Sequence, residues 1–290
     1  MSRNLVRILF DFLHNCFKEG KMIRSLLRQV TCLTVILFMT WILASLVEAQ
    51  MVEDGLVSYW PLDEIQAGKK VKDAVGDNHG ELQLGGGKIK IVAGKVGGAG
   101  QFDGVAAVHI PGTKTLAFNG KDEMTVSAWV NAKNDEPVKG VVAGCCGTIV
   151  AQRDINGWAL RFDGRNGGKE MEFIVCPGWN GDGGFGFPKL KPGQWHYLTG
   201  VVTKKNQLLY LDGKGELEMA RPAPIQTNGG TETEIGKAGD GGFVGLIDEV
   251  TIYNRALSQK EIQQNFKAKG MAVNPATKLT TYWAEIKVLR

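Results

Sequence analysis

Glycine punctuation is what most restricts the fold open to this chain. Its 39 glycines lie almost entirely after residue 54, scattered between short runs of β-branched and aromatic residues. Short strands separated by turn residues are the mark of a sandwich or barrel. Strands are predicted at Leu56–Leu62, Val105–Ile110, Met124–Asn131, Thr148–Gln152, Trp158–Phe162, Glu170–Val175, Trp195–Thr203, Gln207–Leu211 and Leu246–Tyr253. One helix is predicted, short and late. Ser258 and Glu261 make a capping box, Ile262 and Phe266 an apolar i, i+4 pair, and Gly270 stands just past the end. No internal repeat, charge block or proline-rich linker divides the chain, so residues 50–270 are expected to form one all-β domain with a tail at 271–290.

Residues 1–49 read as a secretory leader. Val30–Val47 is an apolar or near-apolar run preceded by Arg24 and Arg28, and Val47-Glu48-Ala49 places cleavage before Gln50. Met22 is the more natural start, which makes residues 1–21 a long n-region or an over-extended leader. Cys32 has no small-residue lipobox before it. The alternative is an N-terminal membrane anchor, since the run is near the lower limit for a span. Removing the leader's six Lys/Arg and three Asp/Glu from the chain's 34 and 30 leaves 28 and 27. A net charge near +1 gives no electrostatic reason to expect nucleic acid, or a membrane surface, as partner, and no membrane insertion is expected after cleavage. The protein is expected to be secreted or held at the cell surface.

Several blocks then carry a family resemblance. GLVSYWPLDE (Gly55–Glu64), DAVGDNHG (Asp73–Gly80) and GQFDG (Gly100–Gly104) resemble the opening of a laminin-G-like, concanavalin-A-like jelly roll. EMTVSAWV (Glu123–Val130), WHYLTGVV (Trp195–Val202) and LYLDGK (Leu209–Lys214) resemble its middle, and GLIDEVTIYNRALSQKEI (Gly245–Ile262) its last strand and closing helix. Each block alone is weak; the collinear set is specific. The resemblance implies an all-β, two-sheet antiparallel jelly-roll β-sandwich with one concave face and a short C-terminal helix. It also implies a common structural calcium and roles in carbohydrate recognition, adhesion or module contact. Fold does not settle function in so broad a family.

Strand alternation places Leu246, Asp248, Val250 and Ile252 on one face. Asp248 is then a carboxylate in an apolar row, costly unless paired or bound to metal. Calcium takes hard oxygens from carboxylates and carbonyls, and Asp63 and Asp73 are the candidate co-ligands. The resemblance places the corresponding acidic positions together where the first and last strands meet. The alternative is that Asp248 caps loop amides or pairs with an arginine such as Arg255. No EF-hand spacing is present, and four scattered histidines argue against zinc.

The exported chain keeps Cys145, Cys146 and Cys176. A disulfide from Cys145 or Cys146 to Cys176 is the expected pairing; a bridge between the adjacent pair is the strained alternative. For catalysis, retaining glycosidases need two carboxyls about 5 Å apart. The laminarinase-type enzymes of this architecture supply them from an E-x-D-x-E motif, which this sequence lacks. Asp248 and Glu249 are adjacent on a strand and so are expected to face opposite ways. No G-x-S-x-G, H-E-x-x-H or phosphate loop is present, and His196 is expected to be a packed strand residue. No catalytic residue is assigned.

Binding is expected at aromatic faces. The glycine-rich segment Cys176–Phe187 displays Trp179, Asn180, Asp182 and Phe185 and is the strongest local candidate, with the alternative that its aromatics plug a sandwich edge. Trp129, in a row with Thr125, Ser127 and Asn131, and Arg161 with Trp158 are further candidates, while Trp60 and Trp195 are assigned to the core. The expected partner is an extracellular glycan, or a cell-surface or matrix protein. An exposed Trp179 or Trp129 on a polar groove favours the first; burial of both favours the second.

Overall fold

In the computed structural model the described residues are 50–135, 137–140, 145–153, 157–165, 170–177, 186–188, 190–221, 224–227, 230–239 and 241–271. The leader, the tail and the segment carrying Trp179, Asn180, Asp182 and Phe185 lie outside them. Among the described residues no helix is long and apolar enough to cross a membrane.

In chain order the strands are β1 (Leu56–Trp60), β2 (Lys70–Val71), β3 (Gly80–Gln83), β4 (Ile89–Ala93), β5 (Gly98–Asp103), β6 (Ala107–Ile110), β7 (Met124–Ala132), β8 (Val138–Gly140) and β9 (Cys145–Arg153). There follow β10 (Gly157–Asp163), β11 (Glu170–Val175), β12 (Gly186–Pro188), β13 (His196–Val202), β14 (Asn206–Leu211), β15 (Lys214–Ala220), β16 (Thr233–Ile235), β17 (Lys237–Ala238) and β18 (Gly241–Tyr253), and then one helix, α1 (Gln259–Lys267). They form two sheets. The first runs β15-β14-β13-β7-β18-β5-β4, with β1, β8 and β17 also paired to β18; the second runs β12-β11-β10-β9-β16-β6-β3-β2. Every strand pairing is antiparallel, so the chain is the all-β jelly-roll sandwich that its sequence predicts.

The core lies between the sheets. In β7, Met124, Val126, Ala128 and Val130 face inward, meeting Trp158, Leu160 and Phe162 of β10 and Phe173 of β11. Trp60 and Trp158 are fully buried, and each indole N–H finds an acceptor, the Asn78 carbonyl at 2.8 Å and Gln152 Oε1 at 3.1 Å. That satisfies the polar handle such large side chains carry inside.

The outward face of β7 is not solvated where Trp129 stands. α1 lies over it, with the Phe266 ring stacked on Trp129 at 5.3 Å between centroids and Tyr197 alongside at 5.2 Å. The helix starts where the capping box predicts: Ser258 N donates to Glu261 Oε2 at 2.7 Å and Glu261 N to Ser258 Oγ at 3.4 Å. Buried Asn265 ties the helix down. Its Oδ1 accepts from Val52 N at 2.8 Å and its Nδ2 donates to Tyr253 Oη at 2.9 Å.

Candidate cation site and binding faces

β18 does not alternate along its whole length. Phe243 and Ile247 point into the core while Leu246 and Asp248 point outward; then the register shifts between Asp248 and Thr251, and Val250 and Ile252 point inward again. Glu249 takes φ of 53°, the left-handed conformation of a β-bulge that adds one residue and re-aims the strand. Two expectations fall here. Asp248 does not share a face with Val250 and Ile252, and Glu249 does not point away from Asp248. Both carboxyls stand on the outer side of the sheet.

The loop Gly94–Gly97 closes over them. Asp248 Oδ2 accepts from Lys95 N at 2.8 Å and Val96 N at 3.1 Å. Asp63 Oδ1 accepts from Gly98 N at 2.6 Å. Glu249 Oε1 accepts from Tyr59 Oη at 2.6 Å. The fit leaves no room for a side chain at either end of the turn: a Cβ on Gly97 would lie 2.3 Å from Asp63 Oδ1, and one on Gly94 would lie 2.6 Å from Asp248 Oδ2 and 2.2 Å from the Gly98 carbonyl oxygen. Leu62, just ahead of Asp63, also takes a left-handed φ of 58°, a conformation that costs a non-glycine residue about 1–3 kcal/mol and concentrates at functional sites.

Electrostatically the cluster is uncompensated. Among the described residues no Lys, Arg or His forms an ion pair with Asp63, Asp248 or Glu249. Asp248 is fully buried, and its Oδ1 has no hydrogen-bond partner. Burial pushes its carboxyl up to about 7, against the pull of the Val96 and Lys95 amides and with the push of Asp63. Burial likewise pushes Glu249 up to about 8, with Asp248 and Asp63 adding repulsion. Arg255 is not the missing partner, because its guanidinium binds Glu261 at 2.7 Å and Asp54 at 2.9 Å. Asp63 is exposed, so the cluster opens to solvent on one side.

Asp73 is elsewhere in role. Its Oδ1 accepts from Tyr59 N and Val75 N, at 3.0 and 3.1 Å, and its Oδ2 from Asn78 N at 3.2 Å. The carboxylate is spent on shaping its own loop, and the carboxyl that lies near Asp248 and Asp63 is that of Glu249. The bulge that brings Glu249 in leaves no mark in an alternating sequence.

Asp163 and Glu172, on the outward face of the second sheet, show the opposite arrangement. Arg161 is 1% exposed, so it is not a surface ligand contact; its Nε donates to Glu172 Oε1 at 2.5 Å and its Nη2 to Asp163 Oδ2 at 3.1 Å. Arg165 adds a second cation on Asp163 at 2.6 Å. Burial alone would raise the Asp163 carboxyl, but the bonds from Arg165 and the field of Arg161 hold it below its ordinary value.

The disulfide expectation also changes. The Cys145 and Cys146 sulfurs form a close pair, and Cys176 is buried apart from them. Cys145 sits opposite Asp163 at one end of β10, whereas Cys176 N bonds the Gly157 carbonyl at the other end. Six residues of strand separate the two by roughly 20 Å, far beyond the reach of a disulfide. Cys145, Cys146 and Asp163 are the one group, among the described residues, whose ligand atoms all lie within 4.8 Å of one another. Sulfur is a soft donor and unsuited to calcium.

Trp129 is 3% exposed beneath α1 and Trp158 is fully enclosed, so neither offers a face to a ligand. Phe187 packs into the core from β12. Trp179, Asn180, Asp182 and Phe185 fall on the stretch of chain between β11 and β12, outside the described residues.

The profile of the family described as the concanavalin A-like lectin/glucanases superfamily, Laminin_G_3, matches residues 100–263. No curated protein matches the chain. Among solved structures, the binding domain of botulinum neurotoxin DC, in complex with rat synaptotagmin II, is 13% identical with a TM-score of 0.53, over 73% of this chain and 51% of that one. The binding domain of Paraclostridial mosquitocidal protein 1 is 19% identical with a TM-score of 0.51, over 73% and 52%. Trypanosoma rangeli sialidase, as its covalent intermediate with 2,3-difluorosialic acid, is 14% identical with a TM-score of 0.51, over 75% and 33%. The chain spans about half the length of the two toxin chains and a third of the sialidase, and at these identities the likeness is one of fold. With its profile matched over more than half of the residues, the protein belongs to the concanavalin A-like lectin/glucanases superfamily.

Proposed function

We propose that this protein is a secreted, non-catalytic module that binds extracellular glycan and is fastened by one calcium ion. The observation that carries the reading is Asp248, a buried carboxylate whose Oδ1 has no partner, beside Asp63 and Glu249 and without a paired cation. Such a group is costly in a protein interior unless a cation completes it. Asp248 and Asp63 would hold the ion, with Glu249 and main-chain carbonyls of the Gly94–Gly98 turn as further oxygen donors of the hard type calcium takes. Bound there, the ion neutralises the cluster and links β18 to the residues following β1. A non-catalytic role is supported by Asp163 and Glu172, the carboxyl pair on the second sheet, both of which are engaged by Arg161.

The fold's relatives support glycan or protein as the partner class. The binding domain of botulinum neurotoxin DC, which shares the fold, is solved in complex with SialylT and also with rat synaptotagmin II. Burial of Trp129 favours, as a second reading, an adhesion module that binds protein. A glycan array probed with residues 50–290, with calcium and again with EDTA, separates them. Glycan binding lost in EDTA is the expected result. No binding to any glycan by a calcium-loaded, folded sample would overturn the reading.

A further inference from the structure

α1 covers only part of the outward face of the first sheet. Beyond Asp248, toward the start of β18, the face continues, uncovered among the described residues, in two rows of directly opposed residues. Lys90 pairs with Gln101, Gln101 with Leu246, and Leu246 with Asn131. Two residues further along each strand, Lys88 N bonds Asp103 Oδ2 at 2.7 Å, Asp103 opposes Val244, and the Val244 carbonyl accepts from Lys133 N at 3.1 Å. Opposed residues in an antiparallel sheet share a face, as do residues two apart on one strand. All eight side chains therefore stand on the same side, and together they line a cavity of about 480 Å³.

From this geometry we infer that the groove binds an acidic polysaccharide, one carrying sulfate or carboxylate groups along its length. Lys88 and Lys90 form one wall and Lys133 the other, all three exposed and without an ion pair among the described residues. Half-buried Leu246 and Val244 make an apolar floor between them. Asp103, the acidic residue of the lining, gives its carboxylate to the Lys88, Val105 and Ala106 amides, at 2.7, 2.9 and 3.1 Å, so it does not neutralise the lysines by pairing. The apolar floor suits the C–H face of a sugar ring. Gln101 and Asn131 supply donors and acceptors for hydroxyls, and the lysines act as flexible point charges for anionic substituents. This rests on reading the module as a glycan binder, and it adds the charge class of the ligand and the face that meets it.

Dextran sulfate and dextran, which share a backbone and differ in sulfate, are the probes. The purified chain should bind immobilised dextran sulfate, less tightly as salt rises, and leave dextran unbound. Charge reversal at the groove, K88E/K90E/K133E, should weaken binding by about tenfold or more. Reversal of three lysines at the other end of the sheet, K204E/K205E/K214E, should leave it within about twofold. Equal losses in the two triples, retained binding by the groove triple, or duplex DNA bound as tightly as dextran sulfate would each overturn the inference. Should the groove triple fail to fold, Lys90→Gln and Lys133→Gln are read singly, each expected to weaken binding by about threefold, and no loss in either overturns it. Calcium-dependent array binding without dextran sulfate binding removes the groove and keeps the glycan module. Dextran sulfate binding lost in the groove triple, with no neutral glycan bound, keeps the groove.

Discussion

Two buried carboxylate clusters in this sandwich use the same residue types to opposite ends. On the second sheet, Asp163 and Glu172 share Arg161, and Arg165 adds a further cation to Asp163. On the first, Asp63, Asp248 and Glu249 repel one another, though their oxygens do not all come within 4.8 Å, and they have only backbone amides and the Tyr59 hydroxyl as donors. The first arrangement is paired with cations, although Glu172 keeps one buried oxygen without a partner. The second also leaves one oxygen over, on Asp248, and has no cation in an ion pair with it among the described residues. The first holds two carboxyls and the second three, but what most separates them is the guanidinium.

The largest effect should come from removing that guanidinium. Arg161→Met strands Glu172 and half of Asp163 in the interior, and breaking a buried pair in this way costs about 3–5 kcal/mol. Chemical denaturation should show the loss directly. Adding Glu172→Leu should recover most of it, since an apolar replacement of the whole pair is often neutral. If Arg161→Met is harmless, the two clusters do not differ as described.

Calcium should supply the other cluster with what Arg161 supplies to the first. A ligand that binds only the folded state stabilises it by about 2.7 kcal/mol at a hundredfold excess over Kd, so the melting temperature should rise with millimolar calcium and fall with EDTA. Magnesium should substitute poorly, because it demands a smaller octahedral shell. Asp248→Asn keeps an oxygen for the Lys95 and Val96 amides and removes the charge. It should abolish the calcium response and leave the metal-free protein at least as stable at neutral pH. A melting point indifferent to calcium and EDTA, in a sample shown by elemental analysis to be demetallated, leaves the cluster without its cation.

The same cluster sets a pH dependence. Asp248 and Glu249 titrate at about 7 and 8 when folded, against 3.8 and 4.5 when unfolded. The folded state therefore holds protons that the unfolded state has lost. The stability these groups supply is complete below pH 3.8 to 4.5 and disappears as pH rises through 7 to 8, at roughly 1.4 kcal/mol per unit for each group. Metal-free protein should thus weaken from pH 5 to 8, while the calcium-induced shift should grow over the same interval as the carboxylates deprotonate. Asp248→Asn should flatten much of the metal-free slope, and an unchanged slope would assign it to other groups.

The sequence makes the sandwich legible because inward and outward residues alternate over long runs. β7 and β13 are read at nearly their full length, and the capping box fixes the start of α1 to the residue. β5 is missed as a strand because Gly98–Asp103 holds only Ala99 and Phe102 as apolar residues, and its glycines look like a turn. Asp248 and Asp63 are legible as a pair; Glu249 is not, because a bulge changes which face a residue meets without changing its identity. Trp129 shows a different limit. Its row of Thr125, Ser127 and Asn131 looks solvated, yet α1 returns from more than a hundred residues downstream to cover it. The lysine groove is missed for the same kind of reason, since Lys88, Lys90 and Lys133 meet only through the register of four strands.

Arg255 and Glu261 give the smallest effect and complete the comparison, because they place the same guanidinium–carboxylate pair near water. They meet at 2.7 Å with side chains 23% and 29% exposed. The hydrogen bond from Arg255 holds the Glu261 carboxyl down at about 2, helped by the Ser258 bonds and opposed by slight burial. A lowered carboxyl acts in the opposite direction to Asp248: its contribution is present above the unfolded value of 4.5 and is lost as pH falls toward 2. Solvent screening keeps such a pair small, so Arg255→Gln should cost about 0.5–1 kcal/mol at pH 7, several times less than Arg161→Met. The cost should shrink with added salt and fall as pH drops from 4 toward 2, where the wild-type Glu261 becomes about half protonated. Denaturant midpoints for wild type and Arg255→Gln at pH 7, 4 and 2 measure this. A loss as large as that of Arg161→Met, or one that persists unchanged at pH 2, would mean that Arg255 acts through its packing against Gly55 and its bond to the Asp54 carbonyl and not through charge.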